Sequence, residues 1–354
     1  MTDIAQRKAD HLDLAEKGDV AFKQRTTLLE CVELIHDALP ELDYDELDAS
    51  LQLFGKRLRA PILIAAMTGG HPRAERINKE LAEVAESLGF AFGLGSQRAM
   101  HRDPKARASY DVRSVAPNAL LFGNIGVVQA RGMKSAELRE LVESVGADAL
   151  CVHLNPAMEL VQVDGDRDFR GGLETLQRLS SELPVPVIAK ETGCGLSARA
   201  GARLKKAGIR HVDVSGAGGT SWVAVETHRA RDERKALGET FWDWGIPTAA
   251  SVGSLRPFAF DTLIATGGVQ NGLDAARAIA LGAHLVGIAR PTLQALDRGG
   301  PSEAEAFLRR VESELKTAML LTGSPNLDAL RAAPRILRSE LRDWLHGAPD
   351  TSGG

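Results

Sequence analysis

Cysteine is scarce in this 354-residue chain. Only Cys31, Cys151 and Cys194 occur, and none is in a CxxC pair. Three thiols cannot all pair within one chain, so a disulfide framework is excluded and a reduced, cytoplasmic protein is expected. Long apolar runs are also missing. LLFGNIGVV (120–128) falls far short of the ~18 residues of a membrane span and carries two glycines. The first stretch, MTDIAQRKADHLDLAEKGDV, is charged throughout and has no apolar signal-peptide core. Neither charge sign dominates. Lys+Arg number 43 and Asp+Glu 47, a net charge of −4, which excludes a generally basic nucleic-acid-coating surface but leaves room for a local basic pocket. The dinucleotide fingerprint G-x-G-x-x-G is absent after the first apolar run, where MTGGHP stands instead.

Glycine is abundant, with 35 residues placed mostly after short apolar runs. Eight runs read as strands: Pro61–Ala66, Phe90–Leu94, Ala119–Gly123, Ala149–His153, Pro186–Lys190, His211–Ser215, Thr262–Thr266 and Leu285–Ala289. They are apolar nearly throughout rather than alternating, as parallel strands covered on both faces are. Their starts lie 29, 29, 30, 37, 25, 51 and 23 residues apart, room for one strand, one loop and one crossover helix per unit. Amphipathic patterns such as AERINKELAEVAESLG, SAELRELVESVGA and GLDAARAIALGA fill the gaps. The expected fold is an α/β TIM-type (β/α)8 barrel, a single domain over 1–354. It comprises an N-terminal extension (1–60), the barrel (61–300), and C-terminal helices and tail (301–354). A long loop follows strand six, where HRARDERKALGETFWDWG reads as an exposed loop or lid. Residues 302–322 read as a helix, and APDTSGG as a frayed end.

In such barrels the chemistry sits at the C-terminal ends of the strands. Here those ends carry small or hydrogen-bonding residues, among them Thr68, Ser96, Asn124, His153, Lys190, Ser215 and Thr220. The glycine-rich SGAGGT, ATGGVQNG and GIARP ends of the last three units suggest a phosphate cradle, with the helix GLDAARAIALGA adding its N-terminal partial charge. A lysine at the mouth, Lys190, needs an anion beside it. It reads either as a Schiff-base lysine or as the cation near N1/O2 of a flavin. The breadth of the polar ring favours FMN. His153, Asn155 and Glu159 follow strand four, and a carboxylate beside a phosphate pocket suggests Mg²⁺, though a helix cap or arginine partner is an equal reading of Glu159. Cys194 in KETGCG is a buried thiol rather than a nucleophile, since no histidine is near it in sequence. Arg7, Lys8 and His11 read on their own as a solvated basic face.

The strings RKADHL, LFGKRLRAPILIAAMTGG, FGLGSQR, GNIG, HLNPAMELVQ, GDRDFRGG, KETGCG, VDVSGAGGTSW, WGIPTAAS, ATGGVQNGLDAARAIALGA and GIARP, in this order over nearly the full length, resemble the type 2 isopentenyl diphosphate isomerases. The resemblance implies an enzyme that converts isopentenyl to dimethylallyl diphosphate with reduced FMN as acid/base, Mg²⁺ on the diphosphate and NADPH as reductant. It implies FMN contacts at Met67, Thr68, Gly69, Ser96, Asn124, Lys190, Ser215, Thr220, Gly267, Gly268, Ala289 and Arg290. Arg7, Lys8, His11, Arg98, His153, Asn155 and Met158 match substrate-binding positions, and Glu159 the metal ligand. Trp222, Glu226 and His153 match catalytic positions. It also implies a homo-oligomer, a tetramer or larger, with no nucleic-acid or membrane partner. The family commonly has glutamine where this chain has Met158, and methionine can neither donate an N–H bond nor shuttle a proton. Two alternatives therefore stay open: an FMN-dependent dehydrogenase or oxidase of the same barrel class, and a homologue that binds FMN and a prenyl diphosphate with impaired catalysis.

Overall fold

Burial on both faces makes the eight apolar segments strands. They are β1 (Ile62–Ile64), β2 (Ala91–Gly93), β3 (Leu120–Gly126), β4 (Ala149–Leu154), β5 (Val187–Glu191), β6 (His211–Asp213), β7 (Thr262–Ala265) and β8 (Leu285–Ile288). In the computed structural model, which describes residues 10–14, 16 and 18–347, they form a closed parallel barrel in the order β7-β8-β1-β2-β3-β4-β5-β6. Outward side chains pack against the surrounding helices. Inward ones such as Leu63, Ala91, Phe122, Cys151, Ile188 and Ile264 form a separate apolar plug. Below the plug, a hairpin (Leu51–Leu53 and Lys56–Leu58) seals the N-terminal end. Its turn residues Phe54 (φ 48°) and Gly55 (φ 79°) both take positive φ, as a tight two-residue hairpin turn demands. The Phe54 ring lies edge-on to His211, 4.9 Å away.

The helix Pro72–Leu88 shows how sequence sets the covering layer. His71 Nδ1 accepts the Arg73 N–H at its start, and Pro72 occupies the first turn. Ile77, Leu81, Val84, Ala85 and Leu88 face the barrel, and Gly89 ends the helix at φ 66°. The segment after β6 differs from the expected loop: it folds into helices Trp222–Arg229, Asp232–Thr240 and Thr248–Leu255. The helix expected over 302–322 is the second half of Arg290–Leu321, which kinks at Gly299, Gly300 and Pro301. One element has no counterpart in the sequence reading: Val32–Leu34 pairs antiparallel with Arg335–Leu337, tying the N-terminal extension to the C-terminal region. Among the described residues no helix is long and apolar enough to cross a membrane. The tail 348–354 lies outside the described residues.

Residues 18–28 run across the C-terminal mouth of the barrel and are stitched to the segment after β6. Ser221 N–H donates to Val20 O (2.8 Å), Trp242 Nε1–H to Ala21 O (2.9 Å) and Lys23 N–H to Asp243 Oδ1 (2.7 Å). From the first βα unit, Arg73 pairs with Asp13 (2.6 Å) and with Glu16. From the last, Arg290 Nη2–H donates to Gly18 O (2.8 Å). The N-terminal segment is thus fixed by arginines from opposite ends of the chain.

Candidate active site

A cavity of about 420 Å³ opens at the C-terminal mouth, within the usual size of small-molecule sites. Strand register builds it. Gly126 of β3 pairs with His153 of β4, His153 with Lys190 of β5, and Lys190 with Asp213 of β6, so these side chains share one level of the barrel. The sequence-derived residues Met67, Thr68, Ser96, Asn124, Lys190, Ser215, Thr220, Gly267, Gly268, Ala289 and Arg290 line this cavity. So do His11, Arg98, His153, Asn155, Met158, Glu159 and Trp222. Gly69 and Glu226 are not among the lining residues. At Gly69 a side chain would run into the Tyr110 ring, so its glycine serves close packing. Arg7 and Lys8 lie outside the described residues.

The glycine-rich ends of β6 and β7 pack against each other. A Cβ on Gly219 would meet Gly268 N at 2.4 Å, and one on Gly267 would meet Gly216 O at 2.2 Å. Gly267 and Gly268 also take φ of 100° and 75°, which only glycine adopts readily. The phosphate-cradle expectation needs one correction. The helix Gly272–Leu281 is capped by its own Asn271, and its Gly272 N–H donates to Glu314 Oε2 (2.7 Å). The helix after β8, Arg290–Leu321, does bring its first turn to the cavity, through Arg290, Pro291, Leu293 and Gln294. Two hydroxyls at the cavity, Thr68 Oγ1 and Thr192 Oγ1, are buried with no hydrogen-bond partner among the described residues. Each such orphan is costly unless a ligand meets it.

Lys190 has its anion inside the protein. Its Nζ lies 3.0 Å from Asp213 Oδ2 and donates to Glu191 O (3.1 Å). Asp213 escaped the sequence reading, although an aspartate inside an apolar parallel strand is itself an anomaly that would have flagged it. Next to Lys190, the buried Glu191 carboxylate accepts the Thr192 and Cys194 N–H groups and holds the KETGCG loop. Burial pushes its carboxyl up to about 8, against the pull of those N–H groups and of Lys190. Burial also pushes the Cys194 thiol up, consistent with an inert side chain.

On the neighbouring strand, His153 Nδ1–H donates to Asn124 Oδ1 (2.8 Å), which fixes that ring nitrogen as the protonated one. Glu159 is 6% exposed. It accepts Asn155 Nδ2–H (2.9 Å), Asp166 N–H (2.8 Å) and Gln162 Nε2–H (3.4 Å). No Lys, Arg or His among the described residues forms an ion pair with it. Gln129 and Gln162 line the cavity as well and were not foreseen. Glu226 is 1% exposed and lies behind His11: His11 Nε2–H donates to Glu226 Oε1 (2.8 Å), and Arg229 Nη1–H to Oε2 (2.8 Å). The His11 ring stands edge-on to Trp222 at 5.4 Å. Burial pushes the Glu226 carboxyl up, but His11 and Arg229 together outweigh it and hold it below the usual range.

Comparison with known proteins identifies the family and the fold. Residues 154–337, about half of the chain, match the family model described as FMN-dependent dehydrogenase. An isopentenyl-diphosphate delta-isomerase of Synechococcus sp. is 47% identical over 338 residues, covering 95% of this chain and 97% of its own. One from Methanothermobacter thermautotrophicus is 44% identical over 344 residues, covering 97% and 96%. A solved structure of a mandelate oxidase variant superposes with a TM-score of 0.66 at 18% identity, over 93% of this chain and 94% of that one, a likeness of fold alone. With relatives this similar over nearly its whole length, the chain belongs to the FMN-dependent, type 2 isopentenyl-diphosphate isomerase family.

Proposed function

We propose that the cavity holds FMN and a C5 prenyl diphosphate and interconverts isopentenyl and dimethylallyl diphosphate, with Mg²⁺ at Glu159. The observation that carries this reading is the division of one cavity into two chemistries. One set comprises the glycine-rich strand ends, Lys190 and the orphan hydroxyls of Thr68 and Thr192. The second comprises His11, Arg98, His153, Asn155 and Glu159. The first set fits a phosphate-bearing, hydrogen-bonding ring system. In the second, a buried carboxylate met among the described residues only by N–H donors fits a hard cation that takes its remaining ligands from water and substrate phosphate.

His11, Arg98, His153 and Asn155, with Arg7 and Lys8, hold the diphosphate, and that remote binding energy orients a small apolar reacting unit. Trp222 offers a π face to positive charge developing on the C5 unit. Leu12 and the stitched segment 18–28 keep water from that charge. When bound in its reduced form, FMN would supply the acid/base group for a double-bond shift without net redox change, with NADPH needed only to prime it. Met158 lines the cavity as an apolar thioether, so proton transfer proceeds without a side-chain shuttle at that position.

The test is anaerobic incubation of the reduced protein with isopentenyl diphosphate and Mg²⁺ in D₂O. Dimethylallyl diphosphate carrying deuterium is the expected product. Flavin reduction by substrate would instead indicate a dehydrogenase or oxidase. Tight FMN and diphosphate binding without deuterium exchange would indicate the impaired homologue that Met158 raises. Size-exclusion chromatography with light scattering tests the proposed homo-oligomer.

A further inference from the structure

Asp213 does not touch the cavity, yet it is tied to what the cavity presents. It ends β6, is 1% exposed, and sits in register with Lys190 of β5. Both carboxylate oxygens are engaged. Oδ2 lies 3.0 Å from Lys190 Nζ, and Oδ1 accepts Thr266 Oγ1–H (2.6 Å) and Ser215 N–H (3.2 Å). One carboxylate therefore joins the ends of β5, β6 and β7, and all three of its partners, Lys190, Ser215 and Thr266, line the cavity. Lys190 spends its donors on Asp213, on Glu191 O (3.1 Å) and weakly on Thr266 Oγ1 (3.4 Å), so its ammonium is held at the wall with its side chain 11% exposed. A bound ring system meets the positive end of an ion pair rather than a whole mobile charge.

We propose that Asp213 is a positioning residue that fixes Lys190 at the cavity wall and moderates the positive field it presents to the flavin. This rests on the reading of the cavity as an FMN site. A lysine held this way favours the negative charge of the reduced ring less than an unpaired one does, because the carboxylate behind it cancels part of its field in a poorly screened interior. Asp213→Asn keeps the side-chain shape and can still accept from Thr266 and Ser215, but it removes the negative charge.

The experiment is the two-electron midpoint potential of bound FMN in wild type, Asp213→Asn, Lys190→Met and the double variant at neutral pH. Asp213→Asn is expected to raise the ratio of reduced-to-oxidised FMN affinity about tenfold, which is about 30 mV for a two-electron couple. Lys190→Met is expected to move it the other way. The double variant is expected to match Lys190→Met, because Asp213 acts through the ammonium and has nothing to position once that is gone. Thr266→Val removes one donor to the carboxylate without changing formal charge, so a small downward shift is expected, which keeps the test available if Asp213→Asn folds poorly. A loaded protein whose potential ignores both substitutions, with only thermal stability lowered, overturns the proposal and leaves Asp213 a strand cross-link. A wild-type chain that takes up no FMN overturns the cofactor reading and the proposal with it.

Discussion

Replacing Glu226 by glutamine separates two readings of that residue. The family pattern places it among the catalytic groups, but the structure puts it behind His11, with both oxygens engaged at 2.8 Å by His11 and Arg229. If Glu226 acts through His11, the substitution weakens one hydrogen bond to a charged group, since the amide cannot accept from both partners at once. Such bonds contribute about 1.5–3 kcal/mol, so kcat/KM is expected to fall ~10- to 150-fold, chiefly through KM for the diphosphate. His11→Ala should look similar, and the double variant should be little worse than the poorer single one, because the two residues act as one unit. The assay is steady-state turnover of isopentenyl diphosphate under anaerobic conditions with prereduced flavin. Additive losses, or a collapse of kcat at unchanged KM, would refute the argument and return Glu226 to the role of proton handler. The same contact has a pH signature. The carboxyl titrates below its ordinary value of 4.5 in the folded chain, so its stabilisation is present above that pH and is lost as pH falls through the lower folded value. Glu226→Gln should therefore flatten the acid limb of a plot of melting temperature against pH.

Glu159→Gln should raise the Mg²⁺ concentration needed for half-maximal rate while leaving the flavin spectrum intact; an unchanged Mg²⁺ dependence would make Glu159 a purely structural anchor for the Asp166 turn. Met158→Gln should raise kcat by ~10-fold or less, the worth of about one neutral hydrogen bond improved in the transition state, and a drop in rate would show that the thioether is itself preferred. Deleting residues 1–12 removes His11 and Leu12 from the cavity wall together with Arg7 and Lys8, so KM for the diphosphate should rise about tenfold or more; unaltered kinetics would make the basic cluster a solvated face. Glu191 titrates above its ordinary 4.5, near about 8, so its contribution is full below 4.5 and is lost as pH rises toward 8. Glu191→Gln, the neutral isostere, should accordingly gain melting temperature relative to wild type between those pH values, and a loss across that range would show that the ionised form is the one the loop needs.

The barrel was legible because a parallel strand buried on both faces leaves an unbroken apolar run, and each of the eight runs ends where the chain must turn. The helix Trp222–Arg229 was not. Val223, Ala224, Val225, Glu226 and Thr227 are buried in succession, so no helical period shows, and the charged residues that follow read as loop. His11 was equally opaque from local sequence. Its partner is 215 residues away, and a contact of that separation leaves no pattern near either residue. Only the family resemblance lifted Arg7, Lys8 and His11 out of the solvated-face reading.

Charge partners, more than burial, sort the acidic residues at the barrel mouth. Glu159, Glu191, Asp213 and Glu226 are all buried, and each must be compensated or neutralised. Glu191 is met mainly by N–H groups of its own loop and is pushed toward its neutral form, which is structure. Asp213 and Glu226 stand behind Lys190 and His11, so each is compensated by the side chain it orients. Glu159 is the one of the four that lines the cavity, and its partners among the described residues are N–H donors without a counter-cation. A cation bound in the cavity, as proposed, would supply the missing positive charge. That is the environment the proposed Mg²⁺ site calls for, and it is why a lost Mg²⁺ response in Glu159→Gln would weigh more than a lost rate.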